Sequence, residues 1–335
     1  MTCSNNFLPF QPLYPLSIIS GNNRKWRFKM NTRIFQNHVV RKEIPLQPMW
    51  DFHTLNEKDE KLDRYQMLVP SCWESNPQLS AYKGKALYSQ KVTFGGNIRL
   101  VFKGVSHTAH VYLNKKQVAH HYNAYTEFDV LLKDIPYGEH LLEVKVDNTF
   151  HEDSALHVSN DYYSYGGITR PVVIEKLGEA YIKNVHFIPQ WKNEKWYASI
   201  HAKVWNLSES PKNVTLKVDI GEEEVIFENQ VLEPNAETDM EGVFEFPSAK
   251  SYTLENPVLY KMDAKLLYDG EVVDDKIDRV GFREIQVRGR DILLNGEKII
   301  IKGVNRHEDY AEFGCAVPLE AMYRDIEIII QRLIF

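Results

Sequence analysis

The apolar run Ile299-Ile300-Ile301 follows a hairpin-like stretch, Asp291-Ile292-Leu293-Leu294-Asn295-Gly296-Glu297-Lys298, and leads into Asn305-Arg306-His307-Glu308-Asp309. An apolar strand that ends in a cluster of polar and charged residues is how a parallel strand delivers chemistry to the mouth of an α/β barrel. After Pro318, the residues Leu319, Met322, Ile326, Ile329 and Leu333 recur at helical spacing. Pro318 suits the first turn of such a helix and Glu320 the positive end of its dipole. Strand then helix makes one β/α unit. A whole barrel takes roughly 250 residues, and only residues 283–335 are left for it.

Upstream the grammar is different. Short segments of apolar and polar alternation occur at residues 86–94, 98–102, 109–113, 117–119, 126–132 and 140–147, with turn residues such as Gly95-Gly96 and Asn114-Lys115-Lys116 between them. Strands at roughly ten-residue spacing predict a β-sandwich. The Val69-Pro70-Ser71-Cys72-Trp73-Glu74 stretch reads as a turn carrying a buried Trp. A second series opens at Tyr181. In it Trp196, Ala198, Ile200, Ala202 and Val204 share one face, and further strands at 214–220, 224–227, 238–246 and 259–268 fill a stretch the size of an immunoglobulin-like sandwich. The expected divisions are an unassigned extension at 1–31, a jelly-roll-like sandwich at 32–178, an immunoglobulin-like sandwich at 179–282 and the start of a barrel at 283–335.

Bulk properties narrow the function. A net charge of -6 argues against a nucleic-acid surface. Three prolines interrupt the apolar stretch from Phe7 to Ile19, which is a poor signal peptide, and no run is long enough to predict a membrane span. Cys3, Cys72 and Cys315 are far apart and odd in number, so neither a disulfide framework nor a zinc site is expected, and a reducing, cytoplasmic setting fits. His107, His110, His120 and His121 cluster locally, but His107 and His110 do not share a strand face. They are read as exposed edge histidines rather than as metal ligands. The Asn160–Pro171 loop is dense in Tyr and holds Asp161, Gly166, Gly167 and Arg170. There Asp161 is suited either to bridging sugar hydroxyls or to capping a turn and pairing with Arg170. At the end of the apolar strand, alternation sends His307 and Asp309 to one side, Arg306 and Glu308 to the other. His307 is placed to hydrogen-bond a substrate hydroxyl, and Arg306 to orient a carboxylate, against the simpler reading of an ion-paired strand terminus.

Several stretches together resemble glycoside hydrolase family 2, the β-glucuronidases and β-galactosidases. They are the Val69–Glu74 turn, Gly104-Val105-Ser106-His107-Thr108-Ala109-His110-Val111-Tyr112-Leu113-Asn114, the Asp161–Arg170 loop, Val280-Gly281-Phe282-Arg283, Leu294-Asn295-Gly296 and Lys302–Asp309. The resemblance implies a sugar-binding jelly roll, an immunoglobulin-like domain and a (β/α)8 barrel, in that order. It also implies that Asp161 and His307, with Arg306 and Asp309 more weakly, lie near the substrate glycone. Asp309 and Tyr310 after the His-Glu pair look more like a β-glucuronidase than a β-galactosidase.

The family's two catalytic glutamates lie on later barrel strands, so no catalytic residue is assigned here and the chain alone is expected to be inactive. Glu308 has no second carboxylate to share the work. The last residues, Ile328 to Phe335, hold no helix-capping Gly, Asn or Pro, so a truncated or frame-shifted reading is expected. The expected activity is hydrolysis of β-glycosides by retention, as a β-glucuronidase first and a β-galactosidase second, with a non-catalytic carbohydrate-binding β-sandwich protein as the alternative from another class. No cofactor or metal is expected. The partner is a carbohydrate rather than nucleic acid or a membrane, and a homo-oligomer is expected for the full-length form.

Overall fold

The computed structural model describes residues 38–44, 46–149 and 163–333. The expected 1–31 extension lies outside them. The first sandwich contains β1 (Lys42–Ile44), β2 (Met49–Leu55), β3 (Lys61–Leu68), β4 (Lys85–Phe102), β5 (Thr108–Leu113), β6 (Lys116–Tyr122), β7 (Phe128–Asp147) and β8 (Val172–Leu177). Their order is β1-β8-β4-β7-β5-β6, with β2 bridging β3 and β4. All the pairings are antiparallel.

Gly95-Gly96 does not end a strand, as the sequence suggested. It sits inside β4, where the register with β7 shifts on either side of Gly96. β4 and β7 therefore run 18 and 20 residues as one bent ribbon. The first half of β4 pairs with β2 and the second half with β8. A bulge bends its strand and increases the local twist, so the same two strands serve both layers around a core of Phe52, Trp73, Tyr88, Ile98, Leu100 and Val144. Trp73 is fully buried, as the turn signature implied.

The second sandwich is built from β9 (Ala180–Lys192), β10 (Lys195–Asn206), β11 (Lys212–Ile220), β12 (Glu223–Leu232), β13 (Glu237–Phe246), β14 (Tyr260–Tyr268) and β15 (Glu271–Val280). One sheet runs β13-β10-β9 and the other β12-β11-β14-β15. The face predicted from Trp196, Ala198, Ile200, Ala202 and Val204 is buried throughout. It meets Leu216, Val218, Ala264, Leu266 and Phe282 across the core.

A buried ionic cluster joins the two sandwiches. Arg41 donates to Glu175 of β8 at 3.1 Å, to both oxygens of Asp274 of β15 at 2.9 and 2.6 Å, and to the Ile182 carbonyl of β9 at 2.7 Å. Asp275 accepts the backbone N–H groups of Val39, Val40 (2.6 Å) and Arg41 (2.9 Å). Arg41, Glu175 and Asp274 each meet an opposite charge, and the Asp275 carboxylate is met by backbone N–H groups instead, the conditions under which such burial is tolerable.

Beyond the sandwiches come the small sheet β16 (Ile285–Arg288), β17 (Asp291–Leu294) and β18 (Glu297–Ile299), and the helix α1 (Leu319–Leu333). The helix forms where its periodicity predicted. The barrel strand does not: only Ile299 joins a ladder, and Ile300 and Ile301 are 75% and 71% exposed. A parallel strand needs a neighbour's backbone to complete its ladder, and the described residues supply none beside 300–309. The helix likewise leaves Leu319, Ile326 and Ile328 exposed. No described helix is long and apolar enough to cross a membrane.

Candidate functional site

A cavity of about 380 Å³ opens where the loops of the first sandwich face the segment before α1. Ser106, His107, Ala124, Tyr125 and the Tyr163–Arg170 loop form one wall; Arg306, His307, Glu308, Asp309 and Cys315 form the other. Because 306–309 are not in a strand, no alternation separates them, and all four residues line the cavity. This corrects the two-sided arrangement expected from period-two reasoning. Asp161 lies outside the described residues.

The sandwich wall is held from behind. Glu74 accepts the Gly166 N–H at 3.1 Å on both carboxylate oxygens, and the Lys83 ammonium lies 3.8 Å from it. Lys83 also donates to the Ser164 carbonyl and lies over the Tyr163 ring at 3.9 Å. Only glycine fits at 166, since a Cβ there would stand 2.1 Å from the Trp73 ring. The turn with the buried Trp and the Tyr-rich loop are thus one packed unit. Burial pushes the Glu74 carboxyl up to about 7, more than the Gly166 hydrogen bond and the Lys83 charge can offset. At the base of the same wall, the isolated bridge between Ser106 and Gly167 ties the two loops together.

The opposite wall is tied to α1 and to the sandwich. Arg306 donates to Asp325 of α1 from Nε at 2.7 Å, and again from Nη2. Tyr310 donates its hydroxyl proton to the other oxygen of the same carboxylate. The carboxylate that Arg306 orients is therefore Asp325, with Glu308 further off at 3.8 Å. Across the cavity, Tyr165 donates to Asp309, and Arg170 reaches Glu308 at 3.7 Å. His307 is exposed on the barrel-entry side.

His107 departs from expectation: it is buried at 3% exposure rather than standing at an open edge. Burial and the nearby Lys83 charge hold its imidazole below the ordinary pKa, which favours the neutral form. His110 and His120 sit ring to ring at 4.5 Å on paired strands. No group of three or more His, Cys, Asp or Glu among the described residues is arranged to hold a metal ion.

Sequence reasoning missed the roles of Ser106, Ala124, Tyr125 and Cys315 in the cavity. Ser106 lay within a quoted motif, but the other three carry no local signal. The cavity mixes two guanidinium groups, hydroxyls, carboxylates and tyrosine rings. It therefore offers hydrogen bonds to a polyol, stacking faces to its ring and cations to an acidic substituent.

Comparison with known proteins agrees with this layout. The model for "Glycosyl hydrolases family 2, sugar binding domain" matches residues 64–177, that for "Glycosyl hydrolases family 2" residues 180–283, and that for the family's TIM barrel domain residues 285–334. A β-galactosidase of Thermoanaerobacterium thermosulfurigenes is 29% identical over 288 residues, covering 82% of this chain and 38% of that protein. The crystal structure of the GH2 β-galacturonidase from Eisenbergiella tayi bound to galacturonate superposes with a TM-score of 0.83 at 48% identity, covering 89% of this chain and 53% of that one. A Bacteroides uniformis β-glucuronidase shares the fold at 20% identity, with a TM-score of 0.77 and 86% of this chain covered. The chain thus spans about half the length or less of these relatives. With three successive family models matched and the same order of sandwiches and barrel entry, it belongs to the glycosyl hydrolases family 2.

Proposed function

We propose that this chain forms the sugar-binding and barrel-entry part of a retaining β-uronidase, with β-galacturonides as the preferred substrates. The observation that carries the reading is the 48% identity to a β-galacturonidase over 89% of the chain. The β-galactosidases of Thermoanaerobacterium thermosulfurigenes and Kluyveromyces lactis stand at 29% and 30%. Chemistry supports the same choice. A uronate differs from a hexose in carrying a carboxylate, and Arg170 brings a guanidinium to the cavity with a loose 3.7 Å pairing to Glu308. A bidentate guanidinium–carboxylate contact would be the stronger pairing. His307 and Asp309 take the glycone hydroxyls in this reading, with Asp161 joining them from the Tyr-rich loop. A glucuronide is the second reading, supported by Asp309-Tyr310 after the His-Glu pair.

The glycosidic chemistry itself needs two carboxyl groups roughly 5–5.5 Å apart. Glu308 does not supply one. It faces Arg170 and Arg306, and the neighbouring Asp309 is engaged by Tyr165. The 335-residue chain is accordingly expected to show no turnover.

Aryl β-galacturonide, β-glucuronide and β-galactoside assays test the proposal, run on this chain and on a polypeptide continued through the remaining barrel. The expected result is turnover by the longer polypeptide only, fastest on the galacturonide. Faster turnover of the galactoside would overturn the uronide reading, and turnover by the 335-residue chain would overturn the division of labour.

A further inference from the structure

Cys72 and Cys315 are 243 positions apart in sequence, yet their Sγ atoms lie 3.4 Å from each other. Both are free thiols. Cys72 is fully buried in the turn beneath Trp73, while Cys315 is half-buried and lines the cavity. The approach depends on Gly314. Its φ is +55°, and a Cβ there would fall 2.8 Å from the Tyr165 ring and 3.0 Å from the Cys72 sulfur. Reciprocal backbone hydrogen bonds between Tyr310 and Gly314, at 3.1 and 2.7 Å, hold the turn that presents Cys315. The two thiols thus meet across the seam between the first sandwich and the barrel entry, at the cavity's edge.

We propose that Cys72 and Cys315 form a dithiol site that a low-molecular-weight disulfide oxidises to an internal disulfide, stapling the barrel entry to the first sandwich. A bonded pair sits at about 2.05 Å, so closing the gap requires only a small side-chain adjustment. The half-buried member acts first. The Cys315 thiolate attacks one sulfur of the small disulfide, RSSR, whose S–S bond breaks, and the departing RS⁻ takes up the proton that Cys315 released. Cys72 then attacks the Cys315 sulfur of the mixed disulfide, and the second RS⁻ leaves carrying the Cys72 proton. The protein loses two electrons and two protons, and RSSR becomes two RSH. The order follows from the environment: the adjacent Cys315 sulfur and burial push the Cys72 thiol above its ordinary range, so Cys72 reacts only with a sulfur already beside it.

The test uses the 335-residue chain carrying Cys3→Ser, treated with oxidised glutathione at about pH 8, alkylated, digested and mapped by mass spectrometry. The expected product is a peptide cross-linked between Cys72 and Cys315, with the chain lighter by two hydrogens and with no bound glutathione. Cys315→Ser should leave Cys72 alkylatable. The staple should also slow tryptic cleavage after Lys302 and Arg324 by about fivefold or more, because cleavage follows the population of the opened segment. A stable glutathione adduct on Cys315 without the cross-link, or two thiols still alkylatable after treatment, would overturn the proposal. A cross-link that leaves cleavage unchanged would overturn its stapling role.

Discussion

Glu175, at the seam between the two sandwiches, and Glu74, behind the cavity wall, both have buried side chains, and they titrate in opposite directions. Burial alone would raise both. At Glu175 the His38 hydrogen bond and the charges of Arg41 and Arg99 overrule burial and hold the carboxyl at about 2. At Glu74 burial wins, because the single Gly166 N–H and one Lys83 at 3.8 Å are too weak to offset it. The seam is thus an ionic junction in which Arg41 is shared by Glu175 and Asp274 across the two sandwiches. The cavity wall holds a carboxyl whose charge is costly, and the barrel entry opposite it leaves Ile300 and Ile301 in solvent. Buried ion pairs build the seam, whereas the barrel-entry wall is tied by side-chain hydrogen bonds to Asp325 and Tyr165.

Removing Arg41 should give the largest effect, since it leaves Glu175 and Asp274 buried without their shared cation. Arg41→Ala is expected to cost about 3–5 kcal/mol, read as a lower unfolding midpoint; a loss under a third of that would mean the seam is not what joins the sandwiches.

The pH dependence separates the two glutamates. A carboxyl held low adds stability that is complete above its ordinary 4.5 and is lost as pH falls toward 2, which is the behaviour expected of Glu175. A carboxyl held high adds stability below 4.5 that is lost as pH rises to about 7, which is the behaviour expected of Glu74. The Glu74 contribution is at most about 3 kcal/mol. Glu74→Gln should flatten the stability profile between those pH values, while an unchanged slope would show that Glu74 is not buried as described.

Arg170→Gln, in the polypeptide continued through the barrel, should lower the uronide-over-galactoside preference by about tenfold, the effect of losing one charge-assisted contact. An unchanged preference would remove Arg170 from carboxylate recognition. Ile300→Asp in the 335-residue chain should change stability by no more than about 0.5 kcal/mol, as expected for an exposed position. A loss of several kcal/mol would show that residues 300–301 are packed after all.

Much of this was legible in the sequence because its signals are local. The alternation of Trp196 to Val204 and the stripe of Leu319, Met322, Ile326 and Ile329 each encode their element without help from distant residues. The apolar run at 299–301 signals a strand equally well, but a strand is made by its neighbours, and the hairpin partner β17 reaches only Ile299. Gly95-Gly96 misled for a related reason: glycine marks a bend as readily as an end, and the ladder with β7 decides which. On the site, His307 and Arg306 stood out at the polar end of the apolar run, the resemblance added Asp309, and all three line one cavity. The Cys72–Cys315 contact was invisible, since two cysteines 243 positions apart carry no spacing signal and were read as unrelated. His107 was misplaced because no local signal in the sequence marks its burial.

The central proposal is that the cavity lined by His307 is the sugar site of a β-uronidase. Its most direct test is kcat/KM on an aryl β-galacturonide for His307→Ala against the unmodified sequence, both in the polypeptide continued through the barrel. The account predicts a fall of about a hundredfold, the scale of a polar contact made in the transition state, with folding unchanged. An unchanged kcat/KM would contradict it.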